Sequence, residues 1–164
     1  MYKALIVPCF DCSSCAWEYI GKGLSKKLQK LQNRAARIMT LSNNETRFKD
    51  LLDRLGLEVL EDRRIRQFVI VMYKITHNIS PLYDECLWRI HSYNLRNSSV
   101  DLYVLKPKIE IGKHSLNYRG SVLWNKLPIE AREQESLDLF KSFYRDNAFC
   151  EVIYNNCVFA ESLN

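Results

Sequence analysis

The sequence predicts a mainly α-helical fold, with five to six helices in an irregular bundle and a short extended or β insertion near residues 91–114. Apolar residues recur at spacings of three and four over long stretches, as they do on one face of a helix. Apolar residues make up 47% of the chain and charged residues 26%, an ordinary globular composition that excludes wholesale disorder. The 164 residues suffice for one domain, predicted over residues 1–149, with residues 150–164 as a C-terminal tail.

The first long helix is predicted over residues 24–41. Ser42 and Glu45 then have the spacing of a capping box, which indicates a short second helix that Gly56 is placed to end. In the first helix the apolar residues alternate at spacings of four and three, and we expect them to pack on the core: Leu24, Leu28, Leu31, Ala35 and Ile38.

The next and most apolar helix is predicted over residues 58–77. Asn78–Pro81 should end it, because the residue before a proline avoids the helical conformation. Leu82–Ile90 is expected to form one more short helix. From residue 91 to residue 114 apolar and polar residues alternate, which indicates one or two short strands or extended segments.

Two helices are predicted in the last third of the chain. Ser115–Asn125 is expected to be helical and to stop before Pro128, with Trp124 packed inside. Ser136–Phe149 should form the last helix, with Ser136 as its N-cap. Its apolar face is predicted to consist of Leu139, Phe140 and Phe143.

Six cysteines could in principle indicate a disulfide framework, but nothing resembling a secretory signal precedes them. We therefore expect reduced thiols and an intracellular protein, without a distinction between cytoplasm and nucleus. The longest apolar runs fall far short of the roughly 20 residues of a membrane span, so no membrane-spanning segment is expected, and a membrane is not the partner that we predict.

Cys9, Cys12 and Cys15 have a spacing that could hold an iron–sulfur cluster or part of a zinc site. The ferredoxin-type arrangement needs a further cysteine where Tyr19 stands, and the three histidines are isolated. The pattern therefore favours small buried cysteines on a helix, and we expect no metal and no cofactor.

No catalytic residue is predicted. The sequence has no Gly-rich phosphate loop, no Gly-x-Ser-x-Gly and no His-Glu-x-x-His. Glu61–Asp62 and Asp84–Glu85 are adjacent acids, as two-metal enzymes use, but Asp62 lies one helical turn from Arg66. An ion-paired helix surface explains Glu61 and Asp62. We therefore expect that the chain is not an enzyme.

Charge is distributed unevenly along the chain, whose net charge is +5. Residues 129–164 carry seven acids and three bases, whereas residues 22–40 carry six bases and no acid. At about 100° per residue the six bases fall within an arc of roughly 140°, opposite the leucines. They would extend over roughly 22 Å of helix, and they are Lys22, Lys26, Lys27, Lys30, Arg34 and Arg37.

This basic face could contact the phosphates of a nucleic acid. Arg63 and Lys74 share one side of the next long helix and are candidates for the same role. A basic amphipathic helix could equally bind an acidic membrane or an acidic protein, or simply attract the acidic stretch of the same chain. Aromatic residues that could either stack on bases or belong to the core are Tyr73, Trp88, Tyr118 and Trp124.

Several short segments occur in a fixed order along residues 8–145. Taken together, they form a pattern that is more specific than any one of them. The most specific is Leu31–Ile38, with the letters LQNRAARI. The others are Pro8 with Phe10–Asp11 and Ser13–Trp17, Leu55–Leu57, Arg63–Arg64, Tyr73–Lys74, Pro81 with Tyr83, Leu95–Arg96, Tyr118–Gly120, Leu123–Pro128 and Phe140–Lys141.

This ordered set resembles the region downstream of the polymerase domain in reverse transcriptases of animal non-long-terminal-repeat retrotransposons. The resemblance implies a thumb-like region that grips the nucleic acid backbone, with Lys26, Lys30, Arg34 and Arg37 as phosphate contacts. It also implies an upstream polymerase domain as a partner. The aromatic-x-Asp-Asp motif that binds the catalytic magnesium ions in that family is absent from this sequence. The expected function is therefore non-catalytic, and the alternative is a helical protein-interaction module or a decayed remnant without selected function.

Overall fold

The computed structural model describes residues 2–12, 14, 20–42, 46–80 and 101–146. These residues are mainly helical, which confirms the predicted fold class, and they contain no strand. The predicted helix at 82–90, the beginning of the predicted insertion at 91–100 and the tail at 150–164 lie outside them. The helices are α1 (Tyr2–Leu5), α2 (Val7–Asp11), α3 (Lys22–Thr40), α4 (Phe48–Leu55), α5 (Leu60–Thr76), a 3-10 helix (Glu110–His114), α6 (Leu116–Lys126), α7 (Ile129–Arg132) and α8 (Leu137–Asp146).

The chain divides after Ile65, inside α5, into two compact units. In the first unit a small apolar cluster joins the N-terminal helices to α4. Its buried members are Val7, Leu52 and Leu57. The cluster is completed by partly buried side chains that pack against these three: Tyr2, Phe48, Leu55 and Val59.

Three helices end in the same kind of turn, in which a residue one or two positions after the helix adopts a left-handed conformation. The φ angles are 50° at Leu41, 55° at Gly56 and 56° at Asn78. In each turn the next amide donates back to a carbonyl five residues earlier, as in a Schellman motif. The donor–acceptor pairs are Ser42–Arg37 at 3.2 Å, Leu57–Leu52 at 2.9 Å and Ile79–Lys74 at 2.8 Å.

Gly56 therefore ends α4 as predicted, but the predicted capping box at Ser42 is wrong. The amide of Ser42 closes the end of α3, and its hydroxyl donates to the Thr40 hydroxyl at 2.8 Å. Helix α4 begins only at Phe48, after an extended Arg47. Five residues separate Ser42 from the first residue of α4, so Ser42 is not the N-cap residue of that helix.

Leu41→Gly is expected to raise the free energy of unfolding by about 0.5–1 kcal/mol, because the left-handed conformation strains any L-residue with a Cβ atom. The Leu41 side chain is 92% exposed, so its removal sacrifices almost no packing. Urea denaturation of the two proteins measures the difference. Gly56→Ala, at the equivalent position of α4, should change the stability in the opposite direction. A destabilised Leu41→Gly protein would contradict the role assigned to this turn.

In the second unit, aromatic side chains from α5, α6 and α8 form the core. Tyr73 stacks on His77 with ring centroids 3.9 Å apart and on Phe140 at 4.5 Å. The Tyr73 hydroxyl donates to the Gln134 carbonyl at 2.5 Å. Trp124 is buried beside them, which confirms the prediction that it packs inside.

Helix α8 begins where the sequence predicts, since the Ser136 hydroxyl accepts a hydrogen bond from the Leu139 amide at 3.2 Å. Its buried side chains are Phe140 and Tyr144, whereas Leu139 is exposed and Phe143 is half-buried. The predicted apolar face was therefore wrong at Leu139. Helix α8 instead packs on the aromatic core through Phe140 and Tyr144, whose rings lie one helical turn apart.

The described part of the predicted insertion is held by side chains rather than by a sheet. The side-chain amide of Asn125 accepts from the Leu102 amide at 2.9 Å and donates to the Leu102 carbonyl at 2.8 Å. Asp101 forms an ion pair with the buried Arg132. The prediction of extended structure is wrong for Glu110–His114, which form a 3-10 helix.

Candidate nucleic-acid interface

Helix α3 carries the candidate site. It contains all six predicted basic residues of the 22–40 stretch and no acidic residue. Its 19 residues correspond to a length of about 28 Å. The predicted helix over residues 24–41 is thus confirmed within two residues at each end.

Polar side chains fix α3 to the rest of the first unit. Gln32 is buried, and its Nε2 donates to the Glu58 carbonyl at 2.9 Å. The Oε1 of Gln29 accepts from the Leu60 amide at 3.0 Å, so it caps the first turn of α5. The Gln29 Nε2 donates to Gln32 Oε1 at 2.8 Å, which links the two amides.

A second polar contact lies one turn earlier on the same side of α3. The Ser25 hydroxyl accepts from Nη2 of the buried Arg64 at 2.9 Å. Ala36, which is fully buried, continues this side toward the C-terminal end of the helix. The packing side of α3 is therefore lined by small and amide side chains.

This arrangement corrects the predicted core face of α3. The buried side is turned by about 100° from the leucine side on a helical wheel. Leu24, Leu31 and Ile38 are exposed, and only Leu28 and Ala35 are half-buried. The physical reason is that the start of α5 presents amides and carbonyls, which glutamine can satisfy and leucine cannot.

The basic side of α3 lies in solvent. Lys22, Lys26, Lys27, Lys30 and Arg34 are exposed, and Arg37 is half-buried with an Nε that has no hydrogen-bond partner. Among the described residues, no carboxylate forms an ion pair with five of these cations: Lys26, Lys27, Lys30, Arg34 and Arg37. The structure thus places the six predicted residues on one helix, with the side chains of five of them exposed.

The other two predicted cations are placed differently. Arg63 is half-buried and donates from Nε and Nη2 to the two carboxylate oxygens of Asp11, at 2.6 and 2.5 Å. This hydrogen-bonded pair raises the pKa of Arg63 and neutralises its charge locally. Lys74 belongs to the second unit and is half-buried. Within the first unit, the charge of Arg63 is therefore paired with Asp11 and does not add to the exposed cations of α3.

Two of the four aromatic residues that the sequence offers for base stacking are buried in the structure. Tyr73 and Trp124 are buried in the core, Tyr118 is half-buried, and Trp88 lies outside the described residues. Helix α3 itself contains no aromatic residue, so the site on α3 presents cations and aliphatic side chains. This chemistry suits contacts with phosphates, which carry no sequence information.

The cysteines differ from the prediction of buried thiols. Cys9 and Cys12 are both exposed, and Cys9 Sγ donates to the Leu5 carbonyl at 3.2 Å. Cys15 lies outside the described residues. In the part of the chain that the structure describes, no three His, Cys, Asp or Glu side chains converge as metal ligands would.

Sequence reasoning missed Gln29 and Gln32, which position the site. The available signal was their i, i+3 spacing on the side of the helix between the leucines and the bases. Amides at that spacing can form hydrogen bonds with each other and with a neighbouring helix end. We therefore regard them as positioning residues for the basic face.

No protein-family model matches this sequence, and neither a curated protein nor a solved structure shows significant similarity to it. None of the described helices combines the length and the apolar character needed to cross a membrane. What the site can do follows from the geometry and charge of α3.

Proposed function

We propose that the chain is a non-catalytic, nucleic-acid-binding piece that resembles the C-terminal region of a non-long-terminal-repeat retrotransposon reverse transcriptase. It contacts the RNA or DNA backbone through α3, weakly and without sequence preference. The single observation that supports this proposal is the row of accessible cations on a 19-residue helix without an acid.

The spacing of these cations suits a phosphate backbone. Lys26 and Arg37 are eleven residues apart, which corresponds to roughly 16 Å along the helix. Successive phosphates of one DNA strand advance by about 3.4 Å along the duplex axis. Four side chains over this distance can therefore each meet a phosphate, and we assign this role to Lys26, Lys30, Arg34 and Arg37.

The resemblance also explains why we propose a binding function, and no reaction, for this chain. A polymerase domain upstream, as in the family, would supply the catalytic carboxylates, and this chain would add grip on the duplex. Purified protein with magnesium should accordingly give no extended primer on an RNA template.

The proposal is tested by titrating labelled 20-nucleotide RNA and 20-base-pair DNA with the full chain at about 50 mM salt. We expect binding that is lost in the variant Lys26→Gln/Lys30→Gln/Arg34→Gln/Arg37→Gln. Glutamine forms helices nearly as well as lysine and arginine, so helix content should not change.

A matched control removes four exposed cations elsewhere: Lys49→Gln/Arg54→Gln/Lys106→Gln/Lys108→Gln. Both variants lose the same net charge, so only the location of the charge differs. The control should retain nearly all binding. Equal loss in the two variants would reduce the effect to net charge, and no binding by the unaltered chain would end the proposal.

A further inference from the structure

Helix α3 also exposes an apolar stripe beside its basic arc. The stripe consists of Leu24, Leu31 and Ile38, whose side chains are 59%, 60% and 66% exposed. These residues are seven positions apart, so they lie nearly in line along about 21 Å of helix. Three large aliphatic side chains in line, on a helix whose other side is already packed, are unusual on the surface of a protein without a partner.

The stripe has the shape of a coiled-coil seam. Residues that repeat every seventh position lie within an arc of about 40° here, much narrower than the broad apolar side of a core helix. Lys27 and Arg34 follow the same seven-residue repeat on one border of the stripe. Each of them is within one turn of two stripe residues, as g positions are to the seam of a coiled coil.

From this geometry we infer that α3 docks an acidic amphipathic helix of a partner protein along the stripe Leu24, Leu31 and Ile38. The partner helix presents an apolar residue at every seventh position and carboxylates that face Lys27 and Arg34. Its length is at least four turns, to match the stripe. Three aliphatic side chains bury only a small area, so we expect micromolar affinity.

A second copy of this chain fits the stripe poorly. Two α3 helices side by side in antiparallel orientation would bring Lys27 and Arg34 against the same cations of the other copy. In parallel orientation the cations would need partners at positions such as Ser25 and Gln32, which pack inside their own unit. An acidic partner removes both difficulties, because its carboxylates neutralise the cations.

An anionic membrane is also a poorer fit. Helices that lie on membranes insert a broad apolar side, in which Trp and Phe often accompany Leu. The exposed apolar side of α3 is narrow and has no aromatic residue, since α3 contains none. A single partner helix matches the width of this stripe better than a membrane surface does.

The test uses the full chain and a labelled 28-residue synthetic peptide with leucine at the seam positions and glutamate at the flanking positions. We expect binding that Leu24→Gln/Leu31→Gln/Ile38→Gln weakens at least about tenfold. The matched control, Leu105→Gln/Ile109→Gln/Ile111→Gln, alters three equally exposed aliphatic side chains outside α3 and should bind like the unaltered chain.

Reversing the charges gives a second readout. Lys27→Glu/Arg34→Glu should lose the acidic peptide and bind a peptide that has lysine in place of glutamate. The triple glutamine variant keeps every cation and should still bind the labelled RNA, so failure here is separable from failure of the proposed function.

Three results would overturn this inference. The first is no peptide binding, or equal binding by the triple glutamine variant. The second is a dimer of the unaltered chain, in sedimentation velocity, that the triple variant abolishes. The third is stripe-dependent binding to vesicles rich in phosphatidylserine without binding to the peptide.

Discussion

Trp124→Ala is expected to lower the free energy of unfolding by about 3–5 kcal/mol, which is a large part of the stability of a small domain. Trp124 is fully buried next to Tyr73, with ring centroids 6.4 Å apart, and at the same distance from Phe140. Truncation leaves a cavity where these rings meet, and the surrounding side chains can relax into it only in part. Urea denaturation followed by circular dichroism measures the loss.

Leu139→Ala is the control for this core. The spacing of apolar residues in α8 predicts Leu139 on the core side, but its side chain is 53% exposed. The substitution should therefore change the stability by no more than about 0.5 kcal/mol. A loss comparable with that of Trp124→Ala would mean that α8 packs through the side that the sequence predicts.

Leu52→Ala should lower the free energy of unfolding by about 2–5 kcal/mol in the first unit. Leu52 is buried in one apolar cluster with Val7 and Leu57, which joins α4 to the N-terminal helices. Leu24→Ala is the matched control, since Leu24 is exposed on α3 and its loss should cost about 0.5 kcal/mol or less. The reverse order of the two effects would contradict the observed packing side of α3.

The ends of the helices could be predicted well because the signals are local. Gly56 ends α4 through its own left-handed conformation, and Ser136 caps α8 with its own hydroxyl. The prediction for Ser42 was wrong because two local signals involve this residue. One is the turn that closes α3, and the other is the capping-box spacing between Ser42 and Glu45. The structure contains the turn, in which the Ser42 amide donates to the Arg37 carbonyl at 3.2 Å.

The packing sides of the helices were harder to predict because they depend on the neighbouring element. The leucines of α3 have the spacing of a core face, but the neighbour is the polar start of α5, which recruits Gln29 and Gln32. Sequence periodicity shows that a helix has an apolar side. It does not show which chemical groups lie opposite that helix in the fold.

The candidate site was predicted where its residues are close in sequence. The six cations of α3 share one helix, so their common direction follows from helical geometry alone. Arg63 could not be assessed in this way, because its partner Asp11 is 52 residues away. Its charge is neutralised by a contact that exists only in the folded unit.

The most direct test of backbone binding through α3 is the salt dependence of nucleic-acid affinity. If Lys26, Lys30, Arg34 and Arg37 each neutralise one phosphate, the log–log slope for the unaltered chain should be roughly −3 to −4. The slope should flatten in the fourfold glutamine variant of α3 and stay unchanged in the control that alters Lys49, Arg54, Lys106 and Lys108. A slope near zero for the unaltered chain, or equal slopes for the two variants, would contradict binding through this helix.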